Sequence, residues 1–341
     1  MNLISNPADT RNSARCALVF FAAVVLVWPV AEMPFNDDWS YAFVVKRLME
    51  TGHIHYNGWG SPILLTQAYW GWLWVKLLGY SFNVLRLSML PAAAGSVAIC
   101  YLLARRAGLV VWTAVFVAML FALSPLFLPL ATSFMNDVPG CFCMLLSLLA
   151  LTRCVQSPSV SRSGGWLLLG AIAGVIGGLS RQSAWIAPLV LLPMIAWLRR
   201  SDRPLLLTAM LAWMLCLSTA IVAQRWFDQQ PFALPEPSFS TQWLELRRDP
   251  VTVGIRFIEI LFTLILLILP AAIVALGWLR TRSLVALAVV VLLLLGRFLS
   301  AHPRLFVAPW MDNTITSVGI LGNAQLHGER PVVLPWPILP V

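Results

Sequence analysis

Nine apolar runs separated by polar breaks constrain this chain more than any other feature. They cover about residues 16–33, 83–104, 108–129, 135–153, 164–180, 184–199, 204–223, 254–279 and 283–301. At 1.5 Å of rise per residue, roughly 20 apolar residues span the ~30 Å hydrocarbon core of a bilayer. In lipid every backbone N–H and C=O must be satisfied within the protein, and runs of this length do so as helices. Composition agrees: of 341 residues, 60% are hydrophobic and only 11% charged, where a soluble domain carries about 25% charged residues. The sequence therefore predicts an all-α polytopic transmembrane helix bundle over 1–301. A first outer loop falls at 34–82, and an outer tail at 302–341 reads as a truncated continuation.

The distribution of charge sets the expected orientation, because short cytoplasmic loops collect Lys and Arg. With the N-terminus cytoplasmic, the inner segments hold Arg11, Arg15, Arg105, Arg106, Arg153, Arg162, Arg199, Arg200, Arg203, Arg280 and Arg282 against only Asp9 and Asp202. That surplus equals the whole net charge of +9. The outer segments sum to zero and hold nearly all the acids, so chemistry that needs carboxylates belongs outside. The basic residues form pairs between apolar runs rather than a soluble basic domain, which excludes nucleic acid as a partner. The expectation is an integral inner-membrane, multi-pass protein surrounded by membrane lipid, with its first long loop periplasmic.

The six cysteines lie in or at the ends of apolar runs, where they act as small hydrophobes and outline neither a zinc site nor a disulfide framework. No small-x-small cleavage site follows the first run at Trp28-Pro29-Val30-Ala31, so that run reads as an uncleaved anchor. The stretch from Ser61 to Gly79 is apolar but short, begins at Pro62 and carries Gln67 and Lys76. Counting it as a span would break the positive-inside pattern, so it is expected in the outer interface. Gly170, Gly174 and Gly178 put three small residues on one helix face for close packing.

About fifty residues separate the first two runs, and loops of this length inside compact domains are functional or disordered. Here Tyr41, Val44, Val45, Leu48 and Met49 recur at helical spacing, with Lys46, Arg47 and Glu50 opposite and Gly52 as a stop. The pattern predicts an amphipathic helix whose apolar face lies on the membrane. Asn36, Asp37 and Asp38 precede it. One reading is helix capping, in which an acceptor side chain satisfies free N–H groups. Capping needs only one acid, however, and two adjacent carboxylates at a membrane surface repel each other and lose hydration. A second requirement, such as a base or a metal ligand, is the other reading.

Phe35-Asn-Asp-Asp-Trp-Ser-Tyr-Ala42, the interfacial helix, His53-Ile-His-Tyr-Asn-Gly-Trp59, the Leu-Leu-Gly before Asn83, and Arg86-Leu-Ser together resemble the first periplasmic loop of GT-C glycosyltransferases. These polyprenyl-phosphate-sugar-dependent enzymes include aminoarabinose transferases and protein O-mannosyltransferases. Ser133-Phe-Met-Asn-Asp137-Val-Pro resembles the family's acid in the next outer loop, and the likeness runs over roughly residues 20–325. It implies hexosyl or pentosyl transfer from a lipid-linked sugar, a polyprenyl-phosphate donor, to a glycan, lipid or protein acceptor. Asp37 is the expected general base and Asp38 its catalytic companion. In-line displacement would invert the anomeric centre. Asp38 and Asp137 are expected to orient the base, hold the acceptor or ligate a divalent metal cation.

The leaving phosphate needs a cation where lipid meets water, and Arg181 is the first candidate, the other reading being that it snorkels or pairs with an outer acid. Arg297 and Arg304, flanking His302, form a second candidate, and Tyr41 joins the substrate-contacting set. Arg86 either anchors its helix at the interface or pairs with an acid. His53 and His55 could converge on one ligand, though such histidines are more often solvated. The stretch 224–250 reads as an outer loop able to close over the acceptor. The competing function is a transporter or lipid-linked-sugar flippase, and a noncatalytic scaffold is a third class. A transporter should show charged or broken mid-membrane helices and repeat symmetry, neither of which this sequence displays.

Overall fold

A computed structural model describes residues 7–26, 28, 32–34, 37–60, 62–124, 126–234 and 239–251, scattered positions between 253 and 264, and the pairs 315–316 and 319–320. Two compact units divide the chain. The first comprises Met1–Leu123 and Phe127–Pro235, the second Ser124–Leu126 and Glu236–Val341.

The first unit is all-helical in its described residues. Helix α1 (Pro7–Leu26) is followed by α2 (Asp38–Thr51), α3 (Leu65–Leu78), α4 (Phe82–Leu87), α5 (Leu90–Arg106), α6 (Val111–Ala122), α7 (Phe127–Ala131), α8 (Asp137–Gln156) and α9 (Val160–Ser180). A 3-10 turn at Gln182–Trp185 then leads into α10 (Ile186–Leu198) and α11 (Arg203–Asp228). Among the described residues four helices are long and apolar enough to cross a membrane: Phe82–Arg106, Asp137–Gln156, Val160–Ser180 and Arg203–Asp228. Val111–Ala122 and Gln182–Leu198 are shorter apolar helices. All of these fall on runs expected to span. The helix at 111 stops short of the expected 129 because Ser124 precedes Pro125, and a residue before proline avoids the helical region. The last two expected spans, 254–279 and 283–301, lie almost wholly outside the described residues, as does the tail 302–341.

Helix α3 has 14 residues, about 21 Å at helical rise, too short to cross the ~30 Å hydrocarbon core. Helix α2 forms as its periodicity predicts. Gly52 adopts φ 75° and donates its N–H to the Leu48 carbonyl, closing the helix with the left-handed residue that glycine accepts without strain. The apolar face of α2 differs from expectation in what covers it. Tyr41, Val44, Val45 and Leu48 are buried against Ala68 and Val75 of α3, Leu85 of α4 and Phe227 of α11. That face lies in a protein core, not on the membrane, because the amphipathic pattern specifies an apolar partner without saying which. Gly71 permits the approach: a Cβ there would come within 2.7 Å of the Phe134 ring and 3.0 Å of Val45.

The glycine face of α9 packs as anticipated. A Cβ on Gly170 would strike Leu151 of α8, one on Gly174 would strike Pro188 of α10, and one on Gly178 would meet the Trp185 ring at 2.2 Å. Ser147 on α8 donates to the Gly170 carbonyl at 2.8 Å. The six cysteines are free thiols.

Arginines gather at one end of these helices. Arg105 pairs with Asp9 at 2.7 Å, Arg106 reaches Gln156 at 2.8 Å, and Arg199 donates to the Val155 carbonyl at 3.2 Å. The N-terminus of α8 and the C-terminus of α9 are at the other end of the same helices.

In the second unit, α12 (Phe239–Arg248) is amphipathic, with Arg247 over the Trp243 ring at 5.3 Å. Strands β1 (Ile315–Thr316) and β2 (Gly319–Ile320) pair antiparallel. The stretch expected as one loop from 224 to 250 is thus helical at both ends, since α11 runs on to Asp228.

Candidate active site at the acid-bearing helix ends

The two adjacent aspartates have different environments. Asp37 sits at the N-cap position of α2 with φ −80° and ψ 0°, and its side chain makes no capping hydrogen bond. Its Oδ1 instead accepts the indole N–H of Trp59 at 3.0 Å. Asp38 begins the helix, where a carboxylate complements the dipole. It is fully buried and faces the equally buried Arg86, with Nε–Oδ2 at 3.8 Å. Arg86 also donates to the Met33 carbonyl and lies over the Phe82 ring. Of the alternatives for Arg86, the structure selects pairing with an acid. Capping does not explain Asp37.

Residues 57–60 form a small platform beside Asp37. The Asn57 Oδ1 accepts from the Ser40 hydroxyl at 2.9 Å and from the Trp59 N–H at 3.3 Å. Gly58, at φ 76°, donates its N–H to the Phe232 carbonyl at 2.8 Å. The Trp39 and Trp59 rings lie 5.7 Å apart, tilted by 48°.

A second acid–base pair comes from α8 and α9. Arg181 leaves the end of α9 in extended backbone, and its Nη1 meets Asp137 at 2.9 Å and the Asn136 Oδ1 at 3.0 Å. Gly140, one turn into α8, makes room: a Cβ there would lie 3.3 Å from the Arg181 Cβ. The Ser180 carbonyl accepts from the Asn136 side chain and from the Leu64 N–H, both at 3.3 Å. Gln182 accepts the Ile63 N–H at 3.3 Å, and Tyr56 donates to the Ile63 carbonyl. The end of the first loop is therefore fastened to the end of α9.

Tyr41 links the two halves. It is 5% exposed, and the charges of Asp37, Asp137, Arg181 and Asp38 all act on its hydroxyl. Burial first, then the three acids, raise its pKa well above the ordinary tyrosine range, so the phenol is a hydrogen-bond donor at neutral pH.

Five sequence-predicted residues, Asp37, Asp38, Tyr41, Asp137 and Arg181, are thus brought to one end of the bundle. Arg297, His302 and Arg304 lie outside the described residues. His53 and His55 are exposed. The expected cation ligands Asp38 and Asp137 each face an arginine, and no group of three or more His, Cys, Asp or Glu among the described residues could hold a metal ion. Trp59, Asn136 and Gly140 were not anticipated as site residues. The one signal for Trp59 was a tryptophan between two glycines in a loop of polar and aromatic residues.

Fold and site define a polytopic helical membrane protein that gathers carboxylates and a half-buried arginine at one end of its bundle. Residues 63–226, just under half of the chain, match the family model described as dolichyl-phosphate-mannose-protein mannosyltransferase, a family of GT-C-type membrane glycosyltransferases. Asn136, Asp137, Gly140 and Arg181 fall inside the match, while Asp37, Asp38, Tyr41 and Trp59 precede it. No curated protein and no solved structure matches the chain significantly.

Proposed function

We propose that this protein transfers a hexosyl or pentosyl group from a polyprenyl-phosphate donor to an acceptor at the outer face of the inner membrane, with Asp37 as general base. The observation that carries the base assignment is a contrast among three acids. Asp38 and Asp137 face arginines, whereas Asp37 makes no ion pair among the described residues and is partly open to solvent. A base must be free to take a proton and reachable by the acceptor. The positive-inside count supports the periplasmic side, since it assigns the arginine-rich helix ends, opposite this site, to the cytoplasm.

In the proposed reaction the acceptor hydroxyl or amine gives its proton to the Asp37 carboxylate. Its oxygen or nitrogen bonds to the anomeric carbon as the bond from that carbon to the phosphate oxygen breaks, and the electron pair leaves with the polyprenyl phosphate. The displacement is in line and inverts the anomeric centre. Arg181 receives the phosphate: its side chain is 40% exposed, and its Nη1 meets Asp137 and Asn136, which aim the guanidinium at the site. Tyr41 offers its hydroxyl proton between the two halves. Asp38, locked to Arg86, holds the first turn of α2 and so positions Asp37.

Asp37→Asn should lower transfer of sugar from the lipid-linked donor in membrane vesicles by about 10²–10⁴-fold, with Asp37→Glu intermediate and both variants folded by thermal unfolding. Undiminished transfer by Asp37→Asn would remove it as the base.

A further inference from the structure

The indole of Trp59 is held beside the Asp37 carboxylate yet leaves half its surface bare. Its relative exposure is 50%, high for the largest apolar side chain in an ordered loop. The ring is not free to wander. Its Nε1–H is fixed on Asp37 at 3.0 Å, its backbone N–H on Asn57 at 3.3 Å, and the preceding Gly58 on the Phe232 carbonyl at 2.8 Å. Behind it Gly60 is pressed against Tyr41 and Ser40, where a Cβ would come to 3.3 and 3.4 Å. Trp39 stands at 5.7 Å and 48°, so the two rings make an open corner. A rigid aromatic face binds at low entropic cost, because little conformational freedom remains to be lost.

We propose that this face is the acceptor subsite and that the acceptor group is a pyranose. The inference rests on the assignment of Asp37 as base, because a group that gives its proton to that carboxylate sits beside the indole bonded to it. A ligand suited to this corner is flat and apolar on one side and carries hydroxyls on its edge. A pyranose ring fits: its axial C–H groups lie on the aromatic face while an equatorial hydroxyl reaches the carboxylate. A serine or threonine side chain has the hydroxyl but no flat apolar face, and an isoprenoid chain has no proton to give. The Trp59 N–H serves both ends, orienting the ring for the sugar and the carboxylate for the proton.

Saturation-transfer NMR on the full chain in phospholipid nanodiscs tests this with methyl α-mannoside, methyl β-glucoside and methyl β-galactoside as probes. At least one pyranoside should take up saturation on the protons of one ring face. Trp59→Leu should reduce that signal about tenfold, while Trp59→Phe, which keeps a ring, should retain most of it. Asp37→Asn should still bind the sugar, which separates this subsite from the base: sugar binding that survives with transfer also intact would fail the base assignment alone. Equal saturation in wild type and Trp59→Leu would overturn the subsite. So would saturation of a serine-containing peptide with none of the pyranosides.

Discussion

The ion pair between Asp38 and Arg86 offers the most direct check on how the site is held. Both side chains are fully buried, and their charged atoms stand 3.8 Å apart. At that distance and an effective dielectric of about 20 the attraction is about 4 kcal/mol, in line with the roughly 3–5 kcal/mol lost when one partner of a buried pair is removed. Arg86→Met leaves Asp38 buried without its cation and also removes the bond to the Met33 carbonyl. For a helical unit of about 200 residues, 4 kcal/mol lowers the unfolding midpoint by about 8–16 °C. The measurement is thermal unfolding in lipid nanodiscs of Arg86→Met, Asp38→Asn and the double variant. The double should be at least about 2 kcal/mol more stable than the sum of the singles implies, because it buries no unmatched charge. Strict additivity, or a single Arg86→Met within about 1 kcal/mol of wild type, would refute the pair as the anchor of α2.

Gly140→Ala should displace Arg181, since the new Cβ would lie 3.3 Å from the arginine's own; the KM for the lipid-linked donor should rise about threefold to tenfold with folding intact. Gly178→Ala should cost about 1–3 kcal/mol because its Cβ would enter the Trp185 ring. Gly165→Ala, in the same helix with open space around it, should gain up to about 1 kcal/mol. Tyr41 should remain protonated where ordinary tyrosines ionise, about pH 10, because burial and the nearby acids oppose the phenolate. Absorbance at about 295 nm should therefore show no difference between wild type and Tyr41→Phe up to that pH, and a difference there would contradict the buried placement.

Features written locally in the chain were legible in it. Helix α2 could be read from its apolar spacing and its glycine stop, four membrane-length helices from run length, and the Gly170, Gly174 and Gly178 face from its four-residue repeat. What could not be read was partnership. The apolar face of α2 was expected on lipid and instead meets α3 and α11, because periodicity gives a direction and not a neighbour. Arg86 and Asp38 lie 48 positions apart, Arg181 and Asp137 lie 44 apart, and charge patterning along a chain says nothing about contacts at such separations. Trp59 reaches Asp37 across 22 residues of irregular loop, where no period operates at all.

The carbonyl of Ser180 carries a consequence out of proportion to its size. One oxygen receives both the backbone of Leu64 and the amide of Asn136, and the next residue along the chain is Arg181. Two strangers in sequence are thereby referred to a common datum immediately before the group that would grip the leaving phosphate. A small rotation at the tip of α9 cannot be absorbed by one of them alone. Under the proposed mechanism, the departure of a lipid phosphate would pull beside the same oxygen that fastens the first loop, like two doors hung on one hinge pin.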